Sequence, residues 1–148
     1  MKWHIKSFAD LTNNELYHIL KARVDIFVVE QACPYPELDN YDQQSIHYYL
    51  TDGEQLVAYV RILPAGYKYK EASIGRVIVN KSYRGKGIGK KLMQNAVNYT
   101  TNNMGEKTIK IQAQSHLEAF YSSLGFRKIS AVYLDDGIPH IDMRYEKK

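Results

Sequence analysis

The stretch VIVNKSYRGKGIGKKLM, residues 77–93, constrains the fold more than any other part of the sequence. An apolar run ends before three glycines at positions 85, 87 and 89, and a helical pattern follows them. A strand, a glycine-rich loop and a helix in this order direct the free N–H groups of the helix N-terminus at a ligand in the loop. Basic residues surround the glycines, namely Arg84, Lys86, Lys90 and Lys91. Because the helix dipole and these residues both favour negative charge, the stretch predicts a phosphate or pyrophosphate site.

Two common phosphate-binding patterns do not fit this loop. The Walker loop requires glycine, four residues and then Gly-Lys-Ser/Thr, but here Gly89-Lys90 is followed by Lys91. The dinucleotide pattern G-x-G-x-x-G fails because the third glycine comes two residues after the second. The pattern Arg/Gln-x-x-Gly-x-Gly/Ala does fit residues 84–89. Taken alone, the loop leaves open a structural alternative, a glycine-rich turn before an amphipathic helix.

The pattern of the remaining residues predicts a single α/β domain over 1–148, long enough to bury one core. Thr12 with Glu15 and Ser115 with Glu118 predict capping boxes, and Asp52-Gly53 predicts a hairpin turn. Helices are expected over residues 12–29, 87–103 and 117–124, and strands over 3–8, 45–52, 56–63, 72–79, 107–113, 126–134 and 140–146.

Composition narrows the function classes. Hydrophobic residues make up 45% and charged residues 24% of the chain, the balance of a soluble globular protein. No apolar run approaches the roughly 20 residues needed to span a bilayer, and the N-terminus lacks the apolar core of a signal peptide. The single cysteine, Cys33, excludes an internal disulfide, so a cytoplasmic location is expected. Since no His/Cys cluster has metal-ligand spacing, no metal is expected.

The net charge of +4 indicates an anionic partner, of which nucleic acid is one kind. However, the basic residues concentrate at the glycine loop. The aromatic and basic interleaving that is typical of single-strand binding surfaces is absent. We therefore expect neither a nucleic acid nor a membrane as partner.

A second motif makes the glycine loop more specific. Residues 120–126 read Phe-Tyr-Ser-Ser-Leu-Gly-Phe, after a predicted strand that follows the loop helix. In this order, the two motifs resemble those of the GNAT acetyltransferase superfamily. A closer resemblance, to the ElaA-like branch, covers nearly the whole chain. It rests on ELYHILKARVDIFVVEQACPYPELD (residues 15–39), GRV (75–77), AQSHL (113–117) and DDGIPHIDM (135–143).

The resemblance implies the GNAT fold, an α/β (α+β) architecture. Its central sheet is mixed, mostly antiparallel and splayed at an acyl-CoA cleft, with helices on both faces. It also implies an acetyl-CoA-dependent N-acetyltransferase that transfers an acetyl group to a primary amine of a small molecule or peptide. The alternative is a non-catalytic acyl-CoA-binding sensor or interaction protein. Many relatives pair through their C-terminal strands, so a monomer or a homodimer is expected.

The resemblance also implies which residues hold acetyl-CoA. The backbone of Val77, Ile78 and Val79 would bind the pantetheine arm. Gln114 stands where the family often has an asparagine, seven residues before Tyr121, and would contact the cofactor. The pyrophosphate would lie on the backbone amides of Arg84, Gly85, Lys86, Gly87, Ile88, Gly89 and Lys90.

Direct attack by an amine in a ternary complex requires a neutral nucleophile and a proton for the leaving sulfur. Tyr121 is the predicted general acid, although a tyrosine on an apolar helical stripe is often a core residue. The acceptor ammonium, with a pKa near 10, must lose a proton before it attacks. Glu30 and His140 are the preferred candidate bases, and ordered water is an alternative. The other candidates are Asp39, Asp42, His47 and His116.

Overall fold

The computed structural model describes all 148 residues. The helices are α1 (Asn13–Val24), α2 (Ile88–Asn98) and α3 (Glu118–Ser123). None of these helices has the length and apolar character required to cross a membrane. The strands are β1 (Lys2–Ser7), β2 (Ile46–Asp52), β3 (Gln55–Leu63), β4 (Ala72–Val79), β5 (Thr108–Gln114), β6 (Arg127–Lys128), β7 (Tyr133–Asp135) and β8 (Ile138–Glu146).

The strands form one sheet in the order β1-β2-β3-β4-β5-β8-β6, with β7 also paired to β8. Every neighbouring pair is antiparallel except β4 and β5, which are parallel. Only Ala72 with Ile109 and Ser73 with Lys110 are paired between β4 and β5, after which the two strands diverge. The sheet is therefore mixed, mostly antiparallel and splayed at one point, as the sequence predicted.

Two apolar clusters on opposite faces of the sheet form the core. The larger cluster includes Leu92 of α2, Tyr121 of α3 and Val60 of β3. The smaller one joins Ile19 of α1 to Tyr59 of β3 and to neighbouring strand residues. Since successive strand residues point to opposite faces, Tyr59 and Val60 place α1 on one side of the sheet and α2 and α3 on the other.

The predicted capping box of α1 forms, and that of α3 does not. Glu15 N donates to Thr12 Oγ1 at 3.1 Å, and Thr12 N donates to the Glu15 carboxylate at 2.8 Å. The three residues Ser115–Leu117 instead form a 3-10 turn directly after β5, and α3 begins at Glu118 without a side-chain cap. Ser115 already lies inside this turn, so it lacks the extended backbone that an N-cap residue needs.

Three predicted elements are interrupted. The first helix changes after Val24 into a π-helical turn over Asp25–Glu30. The second helix changes after Asn98 into a π-helical turn over Tyr99–Asn103. The strand predicted over 126–134 is divided into β6 and β7, both of which pair with β8. Between them, the Ser130 hydroxyl accepts a hydrogen bond from the Asp142 amide at 2.9 Å, replacing a main-chain bond of the ladder.

Candidate active site

A cleft of roughly 730 Å³ opens where β4 and β5 diverge. It is lined by the end of the first helix, the second half of β4, the glycine loop, the end of β5, α3 and the turn between β7 and β8. Most of the predicted site residues lie along it, namely Glu30, Val77, Ile78, Val79, Arg84, Gly85, Gly87, Ile88, Gly89, Gln114, Tyr121 and His140. Lys86 and Lys90 are exposed and do not line the cleft.

The glycine loop presents bare backbone to this cleft. Gly85 and Gly87 have φ values of +81° and +78°, and no atom lies within 4 Å of a Cβ built on either. Gly89 differs, because its φ is not positive and a Cβ on it would lie 3.6 Å from a methyl group of Val79, an ordinary van der Waals contact. The first bond of α2 runs from Lys91 N to Gly87 O at 3.2 Å. The amides just before Lys91 therefore have no helical acceptor, and the loop fits a pyrophosphate.

Glu30 and Arg84 form an ion pair at the edge of the cleft. Arg84 Nη1 and Nη2 donate to the two oxygens of Glu30 at 2.9 and 3.1 Å. Arg84 Nε also donates to the carbonyl of Val79 at 2.9 Å, at the end of β4. Both oxygens of Glu30 are occupied by Arg84, so the carboxylate would have to leave this ion pair to reach an acceptor amine.

Tyr121 lines the cleft while its ring is packed in the core. Its side chain lies between Phe120 and Phe126, with ring centroids 5.1 and 6.0 Å away. Burial raises the pKa of Tyr121 to about 12, so the phenol is neutral at physiological pH. Its hydroxyl has no partner within the protein and is not among the fully buried unpaired atoms. Tyr121 is thus both a core residue and an available O–H donor at the cleft.

His140 has the geometry of a proton acceptor. Its Nδ1 lies 2.7 Å from the carbonyl oxygen of Ile138, which can only accept. Nδ1 therefore carries the proton of the neutral ring, and the lone pair is on Nε2. The ring stacks on that of Tyr133, with centroids 6.4 Å apart. Across the β5–β8 pair, His140 is opposite Gln114, whose amide donates to Gln31 Oε1 at 3.1 Å.

Of the other two histidine candidates, His47 lies in the core and His116 lies at the cleft. His47 is fully buried. Its Nδ1 lies 2.7 Å from the Tyr59 hydroxyl and its Nε2 lies 3.0 Å from the Asp42 carbonyl. Both ring nitrogens are occupied, so His47 is a structural residue. His116 lines the cleft.

Asp39 and Asp42 belong to a network of buried charges that sequence reasoning did not predict. This network consists of Arg23, Arg61, Arg76, Glu37, Asp39 and Asp42. Arg61 donates to both oxygens of Asp39, at 2.8 and 2.7 Å. Although burial alone would raise it, the pKa of Asp39 is lowered to about 2 by its bonds to Arg61 and by the charges of Arg61 and Arg76. Neither aspartate lines the cleft, so neither is placed to act as a base.

Arg76, also missed by sequence reasoning, lies at an irregularity of β4 between two segments that both pair with β3. Tyr59 pairs with Ile78 and Arg61 with Gly75, so Val60 is opposite two residues of β4. At this β-bulge Arg76 has a φ of +53°, a conformation that costs a non-glycine residue roughly 1–3 kcal/mol. The only sequence signal was the GRV motif, which does not reveal the bulge.

No group of three or more His, Cys, Asp or Glu side chains in the chain could hold a metal ion. Among the groups at the cleft are the free Nε2 of His140, the unpaired hydroxyl of Tyr121 and the free backbone amides of the glycine loop. These groups can accept a proton, donate a proton and bind an anion. Together they suit acyl transfer from a donor that carries a pyrophosphate.

The profile of the Acetyltransferase (GNAT) domain family matches residues 12–147. The chain is 37% identical to the protein ElaA of Escherichia coli over 99% of its own length and 97% of that protein. The crystal structure of E. coli ElaA superposes with a TM-score of 0.92, covering 98% of this chain and 99% of that one. The crystal structure of an acyl-CoA N-acyltransferase from Pseudomonas aeruginosa also superposes with a TM-score of 0.92. It is 40% identical, and the match covers 97% of this chain and 98% of that one.

The fold and the cleft thus define an acyl-CoA N-acyltransferase of the GNAT class. The chain belongs to the GNAT acetyltransferase family and is similar to ElaA over nearly its full length. The family and the fold predicted from the sequence are therefore confirmed.

Proposed function

We propose that this protein is an acetyl-CoA-dependent N-acetyltransferase that acts on a primary amine of a small molecule or peptide by direct attack in a ternary complex. One observation carries the proposal. A single cleft joins a glycine loop suited to pyrophosphate with a histidine whose lone pair is free and a tyrosine whose hydroxyl is unpaired. The buried free thiol of Cys33 supports a cytoplasmic location.

Acetyl-CoA would lie along β4 and the glycine loop. The backbone of Val77–Val79 would hold its pantetheine arm, and Gln114 would contact it from β5. The amides of residues 84–90 would hold the pyrophosphate, with Lys86 and Lys90 adding positive charge from the rim. The bound donor supplies an activated thioester, and every other step depends on the chain's own residues.

Three proton transfers would accompany the reaction. His140 Nε2 would accept a proton from the acceptor ammonium, which leaves a neutral amine. The nitrogen would then bond to the thioester carbonyl carbon while the carbon–sulfur bond breaks, and the leaving sulfur would take the proton of the Tyr121 O–H. The second proton of the nitrogen would pass through solvent to the Tyr121 oxygen and restore the phenol. We assign the base to His140 rather than Glu30 because Arg84 occupies both oxygens of Glu30.

Thermal unfolding with and without acetyl-CoA tests the cofactor site. A ligand that binds only the native state raises the unfolding midpoint. We expect acetyl-CoA to raise it in wild type and not in Gly87→Glu, whose carboxylate would lie where the pyrophosphate binds. Gly53→Glu is the matched control, because Gly53 also has a positive φ, +60°, but lies in the hairpin away from the cleft. The control should be destabilised in the same way yet keep the response to acetyl-CoA.

Turnover is measured as thiol release from acetyl-CoA in the presence of a panel of primary amines. Acetyltransferase activity predicts release that depends on the amine and is lost in Gly87→Glu. A raised midpoint without release for any amine would favour the acyl-CoA sensor instead. If saturating acetyl-CoA produced no midpoint shift in wild type, both functions would be excluded.

A further inference from the structure

We infer that the acceptor is an amino acid or a similar compound with a carboxylate beside its amine, and that Arg76 binds this carboxylate. The inference rests on the proposed acetyl transfer and names the class of acceptor for that site. It depends on the free donors of Arg76, on the pairing of the carboxylates around it, and on the backbone conformation that Arg76 adopts.

The Arg76 guanidinium is held on one side and free on the other. Its Nε donates to Glu37 Oε2 at 2.7 Å, and its Nη2 donates to the Glu37 carbonyl at 3.0 Å and to Asp39 Oδ2 at 3.3 Å. Nη1 makes no hydrogen bond and is not among the buried unpaired atoms, so its two N–H groups are accessible. The ring of Tyr35 lies 5.7 Å from the guanidinium carbon and limits its movement. Because Arg76 lines the cleft, its fixed and unsatisfied donors suit a carboxylate.

The carboxylates near Arg76 are already occupied by other partners. Glu37 also accepts from Arg23 at 2.8 Å and from the Tyr35 hydroxyl. Asp39 accepts from both terminal nitrogens of Arg61. The three arginines and three carboxylates of the network therefore balance one another. The carboxylates that hold Arg76 are thus already paired, and none of them bonds to its Nη1.

The backbone at Arg76 also indicates that this side chain is needed. Gly75, the preceding residue, has an ordinary φ, whereas Arg76 adopts the left-handed conformation that glycine would adopt without strain. Strained residues of this kind concentrate at ligand sites. On the other side of the gap between β4 and β5, His140 provides the proton acceptor for the amine. Arg76 and His140 thus offer one group for each charge of a zwitterionic acceptor: Arg76 for the carboxylate and His140 for the ammonium.

Two bisubstrate conjugates test this inference without any need for turnover. In both, the CoA sulfur is joined through a CH2–C(=O) unit to an amine, which is glycine in one conjugate and methylamine in the other. We expect the glycine conjugate to bind wild type at least 10-fold more tightly by calorimetry. In Arg76→Gly, which keeps the backbone free of strain, the ratio should fall below about 2.

Lys68→Ala is a control outside both the ion-pair network and the cleft lining, and we expect it to leave the ratio unchanged. Acetyl-CoA itself should bind both variants as it binds wild type. Equal affinity of the two conjugates for wild type, or a preference for methylamine, would overturn the inference and leave the acetyltransferase proposal intact. If neither the conjugates nor acetyl-CoA bound wild type, the proposed function would fail together with the inference.

Discussion

The two walls of the cleft are built in different ways. The cofactor wall is one short segment, residues 84–90, in which bare backbone and two left-handed glycines leave amides free. The acceptor wall consists of cleft-lining side chains from the end of the first helix, the loop after it and β4, and its Arg76 is held from behind by a network of buried ion pairs. A loop that binds a pyrophosphate through its amides can be encoded locally. A wall in which several charged side chains are held in place needs ion-pair partners that are distant in the sequence. Its stability and specificity should therefore depend on those partners.

The largest expected effect comes from breaking the acceptor wall at Arg23. This residue is fully buried and donates to Glu37 at 2.8 Å and to Asp42 at 2.7 Å. Arg23→Met removes one guanidinium from the buried network and leaves Glu37 with Arg76 alone and Asp42 with Arg61 alone. We therefore expect unfolding in urea to require about 3–5 kcal/mol less free energy. Lys21→Ala removes an exposed ion pair of the same helix and should leave the urea midpoint unchanged. A similar midpoint for the two variants would show that the network does not stabilise this wall.

The next effect, on catalysis, concerns Tyr121. Removing its hydroxyl in Tyr121→Phe preserves the packing against Phe120 and Phe126, so the midpoint and acetyl-CoA affinity should not change. If the phenol protonates the leaving sulfur, kcat should fall roughly 100-fold. Tyr83→Phe is the control, because its hydroxyl bonds Asp52 on the surface. A kcat within threefold of wild type in Tyr121→Phe would show that Tyr121 serves only as a core residue and does not protonate the sulfur.

A third prediction concerns how the free energy of unfolding depends on pH through Asp39, a member of the ion-pair network behind the acceptor wall. The folded-state pKa of Asp39, about 2, lies below the ordinary value of 3.8. A lowered pKa contributes stability that is present above the unfolded pKa and is lost as the pH falls through the folded pKa. We therefore expect wild type to lose about 2 kcal/mol from this group between about pH 5 and pH 2. The urea unfolding free energy of Asp39→Asn should fall less steeply over that range, and parallel slopes would contradict the assignment.

The smallest effect is expected at the rim of the cofactor wall. Glu30→Gln removes the negative partner of Arg84, which is then free to approach the pyrophosphate. Since both side chains are about 40% exposed, the change should be small, roughly a twofold lower Kd for acetyl-CoA. The kcat should stay close to that of wild type because His140 is the proposed base. A loss of kcat of tenfold or more in Glu30→Gln, with His140→Gln unaffected, would reverse the assignment of the base.

Sequence patterns predicted the elements well where the decisive contacts are local. The strand over residues 72–79 and the capping box at Thr12 were predicted with their correct residues. The prediction of a second capping box was wrong, because β5 continues directly into a 3-10 turn at Ser115. The prediction of one long strand over 126–134 was also wrong, since the Ser130 hydroxyl accepts the hydrogen bond of the Asp142 amide in place of a main-chain carbonyl. In both cases the packing of a neighbouring strand overrode the local signal.

The sequence by itself determined the family, the order of the elements and the glycine loop that faces the cleft, because these depend on residue types a few positions apart. Only the tertiary structure decided which charged groups are available for chemistry. Glu30 is paired with Arg84, 54 positions away, and Asp39 with Arg61, 22 positions away, while Nε2 of His140 and Nη1 of Arg76 are free. The state of a carboxylate or an imidazole depends on the partners that folding brings to it, and these partners leave no periodic pattern along the chain.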